Sequence, residues 1–405
     1  MTLAPDRPTL AWPGLDTVPS GPRAAVSAVV ARGLCQSALR RLRLEDAITI
    51  HRPDELYARL GRDGLIGFGE AYLTGAWDSD DLFGFLTALA SHVSDLVPRP
   101  LQRFRGVVGR RTPSAHRPSA DQTRDLIAHH YDLSNELFAL FLDETLSYSS
   151  ALFDSPAGTD ADLATAQHRK IDRLLDAAGV GAGTRVLEIG TGWGELAIRA
   201  AARGATVRSI TLSTEQQALA RQRIAAAGRA DRVEVELCDY RHVTTTDGYD
   251  AVLSVEMIEA VGHDYWPTYF QTLDRVLAPG GRVGIQAILM PHDRMLATRG
   301  SYTWINKYIF PGGFLPSAQV IDEVCAEHTS LAVTDRFAFG LDYAETLRRW
   351  DETFLARRDA VLALGFDETF LRMWHFYLEY SRAGFASGYL DVQQLVLTRA
   401  KGTHA

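Results

Sequence analysis

At 405 residues the chain is too long for one ordinary core and implies two or more domains. Its 46% hydrophobic and 23% charged residues mark a globular protein rather than a disordered one, and a net charge of −8 argues against a general nucleic-acid binder. Three scattered cysteines, Cys35, Cys238 and Cys325, form no CxxC pair, so no disulfide framework and no metal site is expected, and a cytoplasmic setting is.

Residues 1–20 are rich in Pro and Gly and read as a flexible tail, without the apolar run of a signal peptide. Residues 21–95 read as a small α+β domain. Ala24 to Leu42 has helical periodicity, Ala47-Ile48-Thr49-Ile50 is strand-like, and "GFGEAYLTGAW" (67–77) leads into an apolar helix over 81–93. Residues 96–120 carry Arg99, Arg103, Arg105, Arg110, Arg111 and Arg117 with four prolines and no acid. That composition suits a basic linker, read either as a solvated tether or as a surface for anionic lipid headgroups at about 1 kcal/mol per cation. No run in the chain approaches the ~20 apolar residues of a membrane span.

From 121 to 405 short apolar runs alternate with helical segments. "TRVLEIG", "ATVRSITL", "VEVELCD", "YDAVLSVE" and "GGRVGIQAI" predict the strands of an α/β fold with a mostly parallel, Rossmann-like sheet. Residues 290–405 add helices rich in aromatics. The run "VLEIGTGWGE" (186–195) leaves a predicted strand and opens a helix, and its glycines let the backbone approach a ligand. Glu188 at the strand end suits a cationic amino group better than a pyrophosphate. Thr211 and Gln216 follow the next strand with hydroxyl and amide groups suited to a ribose, and Asp239 and Tyr240 follow the third, where an adenine can rest. Each polar residue alone is as well explained by a helix cap. Together, at successive strand ends, they point to S-adenosylmethionine (SAM) ahead of NAD.

Four further stretches carry a resemblance. "HYDLSNELFALFLDETLSYSSALF" (130–153), "VLEIGTGWGE", "VEMIEAVGHDYW" (255–266) and "WINKYIFPGGFLPS" (304–317) are similar to cyclopropane-fatty-acyl-phospholipid synthases, and "GFGEAYLTGAW" to the N-terminal domain of their longer members. The likeness runs from about residue 25 to the end. It is strongest to the actinobacterial methyltransferases of 10-methyl (tuberculostearic) fatty acid synthesis.

The resemblance implies a SAM-dependent methyltransferase whose N-terminal domain handles lipid and whose substrate is the unsaturated acyl chain of a membrane phospholipid. It also implies peripheral attachment to the inner membrane face, a homo-oligomer, and a separate flavin-dependent reductase acting on a 10-methylene product. Tyr148, Ser149, Gly190, Gly192, Thr211 and Gln216 fall on the family's cofactor positions. The family holds a bicarbonate as base. Its glutamate, isoleucine and tyrosine ligands fall on Glu259, Ile288 and Tyr343, but its cysteine and histidine fall on Ser150 and Gln286. Both can donate hydrogen bonds to an anion, and neither supplies thiolate or imidazole chemistry, which leaves bicarbonate open.

Glu256, three residues before Glu259, is a second carboxylate. A helical turn starting there would put both on one face, where like charge raises one pKa toward that of a base. The alternative for Glu256 is a helix cap or a SAM contact. Tyr131, Trp304, Tyr308 and Phe310 are candidate linings for an acyl tunnel, with core packing as the alternative. Three other functions stay open at this point: a cyclopropane synthase, a methyltransferase of a soluble small molecule, and a lipid-binding subunit with a dead site.

Overall fold

The computed structural model describes residues 12, 14–92, 135–154 and 162–400. The basic linker and Tyr131 lie outside the described residues. The chain divides into two compact units. One comprises 1–112, 300–309 and 347–387; the other comprises 113–299, 310–346 and 388–405.

The N-terminal unit is therefore discontinuous, where the sequence suggested a continuous boundary near residue 120. The cause is visible in its packing. Helix Leu65–Leu73 is apolar almost throughout, and Trp77 is fully buried against it, stacked on Phe68 at 4.4 Å with its indole N–H donating to the Phe68 carbonyl. These groups need more cover than the N-terminal helices supply. Phe376 from helix Glu368–Ala386 packs on Tyr72 and Trp77, and Trp304 from helix Trp304–Tyr308 packs on Phe376. The glycines of "GFGEAYL" are packing residues. A Cβ at Gly67 would lie 2.0 Å from the Arg59 carbonyl oxygen, and one at Gly69 would lie 2.6 Å from the Trp304 ring. A two-stranded antiparallel ribbon, β1 (Thr49–Ile50) and β2 (Trp77–Asp78), completes the unit's regular structure.

The second unit is built on a seven-stranded sheet: β3 (Arg185–Ile189), β4 (Thr206–Thr211), β5 (Val233–Leu237), β6 (Tyr249–Val255), β7 (Leu277–Leu289), β8 (Leu331–Ala338) and β9 (Asp391–Arg399). The order is β5-β4-β3-β6-β7-β9-β8, and only β9 runs antiparallel to its neighbours. All five strands expected from the apolar runs are present. Central strands such as β3 are buried along nearly their whole length because helices cover both faces. One face packs helix Trp266–Val276 through Tyr269, Phe270 and Leu273; the other packs helices Leu163–Ala177 and Glu195–Ala202 through Leu174 and Ala197. Strand order reverses between β3 and its two neighbours, and such a switch point opens a crevice at the strand C-termini.

Candidate active site

That crevice is a cleft of about 1150 Å³, open solvent at its mouth included. All nine residues proposed for the cofactor line it: Tyr148, Ser149, Glu188, Gly190, Gly192, Thr211, Gln216, Asp239 and Tyr240. Gly190, Gly192 and Gly194 all have positive φ. At Gly190 a Cβ would collide with Met257, whereas at Gly192 it would meet nothing within 4 Å, so the backbone there faces open space that a ligand can fill. Glu188 is buried and accepts a hydrogen bond from the Ser209 hydroxyl; burial pushes its carboxyl up to about 8. Thr211 donates to the Gln216 side chain at 2.9 Å. Ser213 and Asp239 are indeed caps. The Ser213 hydroxyl accepts from the Gln216 N–H, and Asp239 accepts from the Arg241 N–H and is ion-paired to the Arg241 guanidinium, which with its other donors holds it below the usual carboxylate range despite burial. A buried carboxylate for an ammonium, an open glycine cradle and paired hydroxyl and amide groups fit SAM.

The cleft's roof is the 145–149 stretch. Arg223 ties it down by donating to the Glu144 and Thr145 carbonyls. Leu146 there is one of three non-glycine residues with positive φ among the described residues, and Glu256 is another. Both line the cleft, and strain of this kind collects at functional sites.

Glu256 starts no helix. The chain leaves β6 through a left-handed bend at Glu256 (φ 52°), so the two carboxyls are brought together by a turn rather than by helical spacing. One Glu256 oxygen accepts from the Ser150 main-chain N–H at 3.0 Å and the Gln286 amide at 2.8 Å; the other accepts from the Tyr343 hydroxyl at 2.7 Å. Burial raises its pKa, opposed by these donors and by Lys170. The Ser150 hydroxyl turns away to the Ala151 carbonyl, so Ser150 contributes its backbone and not the side chain that sequence matching suggested.

Gln286 is aimed by a relay. Arg173 donates to the Gln394 side-chain oxygen at 2.7 Å, and Gln394, opposite Gln286 in the β7–β9 register, donates to the Gln286 oxygen at 3.2 Å. That fixes the Gln286 N–H toward Glu256. Glu259 accepts from the Ile288 N–H at 2.6 Å, while its other oxygen is buried and has no hydrogen-bond partner among the described residues. Burial, then the charge of Glu256, pushes Glu259 up to about 8. Glu256 lines the cleft and Glu259 does not.

Lys170 was not singled out from the sequence. It is buried, donates to the Ser149 hydroxyl at 2.6 Å, and is lowered to about 8 by burial. Its only sequence signal is a lysine on the core face of helix Leu163–Ala177.

The candidate acyl-chain residues are divided between the two units. Trp304 and Tyr308 belong to the N-terminal unit, where Trp304 packs on Gly69 and the Tyr308 hydroxyl donates to Glu70. Phe310 belongs to the second unit and opens a turn in which the Phe314 N–H donates to the Glu259 carbonyl.

Fold and cleft together define a SAM-dependent methyltransferase. The family model for mycolic acid cyclopropane synthetase matches residues 118–395. The chain is 55% identical to tuberculostearic acid methyltransferase UfaA1 of Mycobacterium tuberculosis, covering 96% of this chain and 95% of that one. It is 33% identical to the cyclopropane-fatty-acyl-phospholipid synthase of Escherichia coli, with 87% of each covered. The crystal structure of mycolic acid cyclopropane synthase CmaA1 complexed with SAH and CTAB superposes with a TM-score of 0.61 at 30% identity, over 68% of this chain and 97% of that one. The chain belongs to the mycolic acid cyclopropane synthetase family.

Proposed function

We propose that this enzyme transfers the SAM methyl group to a double-bond carbon of an oleoyl-type phospholipid acyl chain and releases a 10-methylene-branched chain. A separate reductase then saturates that product to the 10-methyl form. The near full-length likeness to a tuberculostearic acid methyltransferase supports the product class. The observation that carries the chemistry is the Glu256 carboxyl in the cofactor cleft, with the buried Glu259 carboxyl near enough to respond to its charge.

An alkene is a weak nucleophile, and SAM supplies the electrophilic sulfonium methyl. The protein must exclude water, hold the olefin in line, and offer negative density to the cation left on the chain. Glu188 and the glycine turn position the cofactor. The carboxyl pair collects the proton that the cation sheds. Phe310, on the turn hydrogen-bonded to the Glu259 carbonyl, is the proposed lining residue of the acyl path.

The substrate is met at the membrane surface. Among the described residues no helix is long and apolar enough to cross a membrane. Helix Pro22–Leu42 contains arginines and no acid, and leaves Val26, Val29 and Val30 more than half exposed, a composition suited to the interface of an anionic leaflet. The basic linker adds to that attraction, and the working form is a homo-oligomer.

A cyclopropane product is the second reading, favoured by the relation to the E. coli synthase. The two products have equal mass. Incubation with labelled SAM and dioleoyl phospholipid vesicles, followed by NMR of the recovered fatty acid, separates them. Exocyclic methylene protons support the proposal; ring protons alone replace it with cyclopropanation; unmodified lipid rejects both.

A further inference from the structure

The family resemblance implies a bicarbonate held at the site, and the residues present do not fit one. The three groups that would grip a small oxyanion, the Ser150 N–H, the Gln286 amide and the Tyr343 hydroxyl, all converge on the Glu256 carboxylate. A carboxylate is a trigonal two-oxygen anion, chemically close to bicarbonate, and here it is tethered to the chain. Its placement has a cost. Glu256 adopts φ 52°, a conformation that glycine enters freely and a glutamate does not. A strained residue persists only where its surroundings fix it, and here the fixing groups are the three donors and the Arg173–Gln394–Gln286 relay behind them. Lys170, buried in the same cleft, adds a favourable charge.

We propose that Glu256 is the built-in proton acceptor of the reaction, occupying the position of an exogenous oxyanion, so that turnover requires no bicarbonate. This rests on the function proposed above. Once the methyl carbon has bonded to the olefin through its π pair, with the C–S pair leaving on sulfur, the acyl chain carries a cation. One proton then passes from carbon to a Glu256 oxygen. For the methylene product a hydride first shifts from the methylated carbon to its cationic neighbour, and the C–H pair left by a proton of the new methyl becomes the exocyclic π bond; without that shift the methyl C–H pair closes a cyclopropane ring. The carboxylic acid returns its proton to water when product leaves.

The test uses the full-length enzyme and dioleoyl phospholipid vesicles, in buffer stripped of bicarbonate and in buffer supplemented with it. Wild-type rates should agree in the two. Glu256→Gln should lower kcat by about 100-fold or more, the usual cost of losing a general base, and added bicarbonate should not restore it, because the amide still fills the cradle. Glu256→Gly relieves the backbone strain and should fold. Its kcat should fall by a similar factor and recover in part with bicarbonate or formate. Calorimetric SAM binding checks that both variants are folded. Wild-type turnover that depends on bicarbonate overturns the proposal, as do Glu256 variants that bind SAM and turn over at the wild-type rate. Wild-type enzyme that leaves the lipid untouched in both buffers instead sinks the underlying functional reading.

Discussion

Each unit of this molecule buries carboxyl groups, and it treats them in opposite ways. In the N-terminal unit, Glu70 is fully buried and meets cations: Lys307 is ion-paired to it, Arg59 and Arg62 lie at 3.7 and 3.8 Å, and the Tyr308 hydroxyl donates to it. In the second unit, Glu188, Glu256 and Glu259 are met almost entirely by neutral donors: a serine hydroxyl, a tyrosine hydroxyl, an amide and main-chain N–H groups. Direct cation contacts pin a carboxylate in place and serve the fold. Neutral donors around a buried acid hold its position while leaving its proton affinity high, and all three of these glutamates are pushed upward. The two sets of buried acids thus differ in their partners, cations around Glu70 and neutral donors around Glu188, Glu256 and Glu259.

The contrast can be broken most forcefully at Glu70. Glu70→Ala strips Lys307 of its ion pair and the Tyr308 hydroxyl of its acceptor, while Arg59 keeps Glu55 and two carbonyls, and should cost about 3 kcal/mol of stability. Chemical denaturation measures it, and a change below about 1 kcal/mol would remove Glu70 from the structural class. Glu259→Gln is the converse. The amide oxygen keeps the Ile288 N–H, so the fold should hold, while kcat drops by about 100-fold. SAM affinity should stay constant, because Glu259 is not part of the cleft lining. Steady-state kinetics with SAM titrated reads both values.

The smallest effect sharpens the contrast at Glu188. With its carboxyl pushed up to about 8 by burial, a proton must leave before it can pair with the cofactor ammonium. SAM affinity should therefore rise with pH by up to about tenfold per unit below 8. It should turn over near there, because free α-amino groups lose their own charge at about 8. Glu188→Gln should flatten the acid limb in calorimetry across pH.

The sheet was legible because buried parallel strands write themselves as continuous apolar runs, and "TRVLEIG" through "GGRVGIQAI" each became a strand. That the nine candidate cofactor residues share one cleft was legible for a related reason: a switch-point crevice is fed by successive strand ends, and those are adjacent to recognisable runs. Glu256 was less so. Its left-handed bend carries no local signal, since a glutamate there defies backbone preference and is imposed by Ser150, Gln286 and Tyr343 from distant stretches of the chain. Lys170 was hidden for the same reason, as a helix-face lysine normally reaches water. The extent of the N-terminal unit was also hidden, because nothing in "WINKY" or in the 368–386 helix says which core it will join.

That last point bears on how the protein can be taken apart. The matched family segment begins at residue 118, yet helices Trp304–Tyr308 and Glu368–Ala386 share a core with the chain before it. Gene fusion or recombination at residue 118 would cut through a single folding unit instead of falling between neighbours, and would strand Trp304 and Phe376 with bare aromatic faces in search of a new mate. A transplantable module from this lineage has to carry all three of its stretches together.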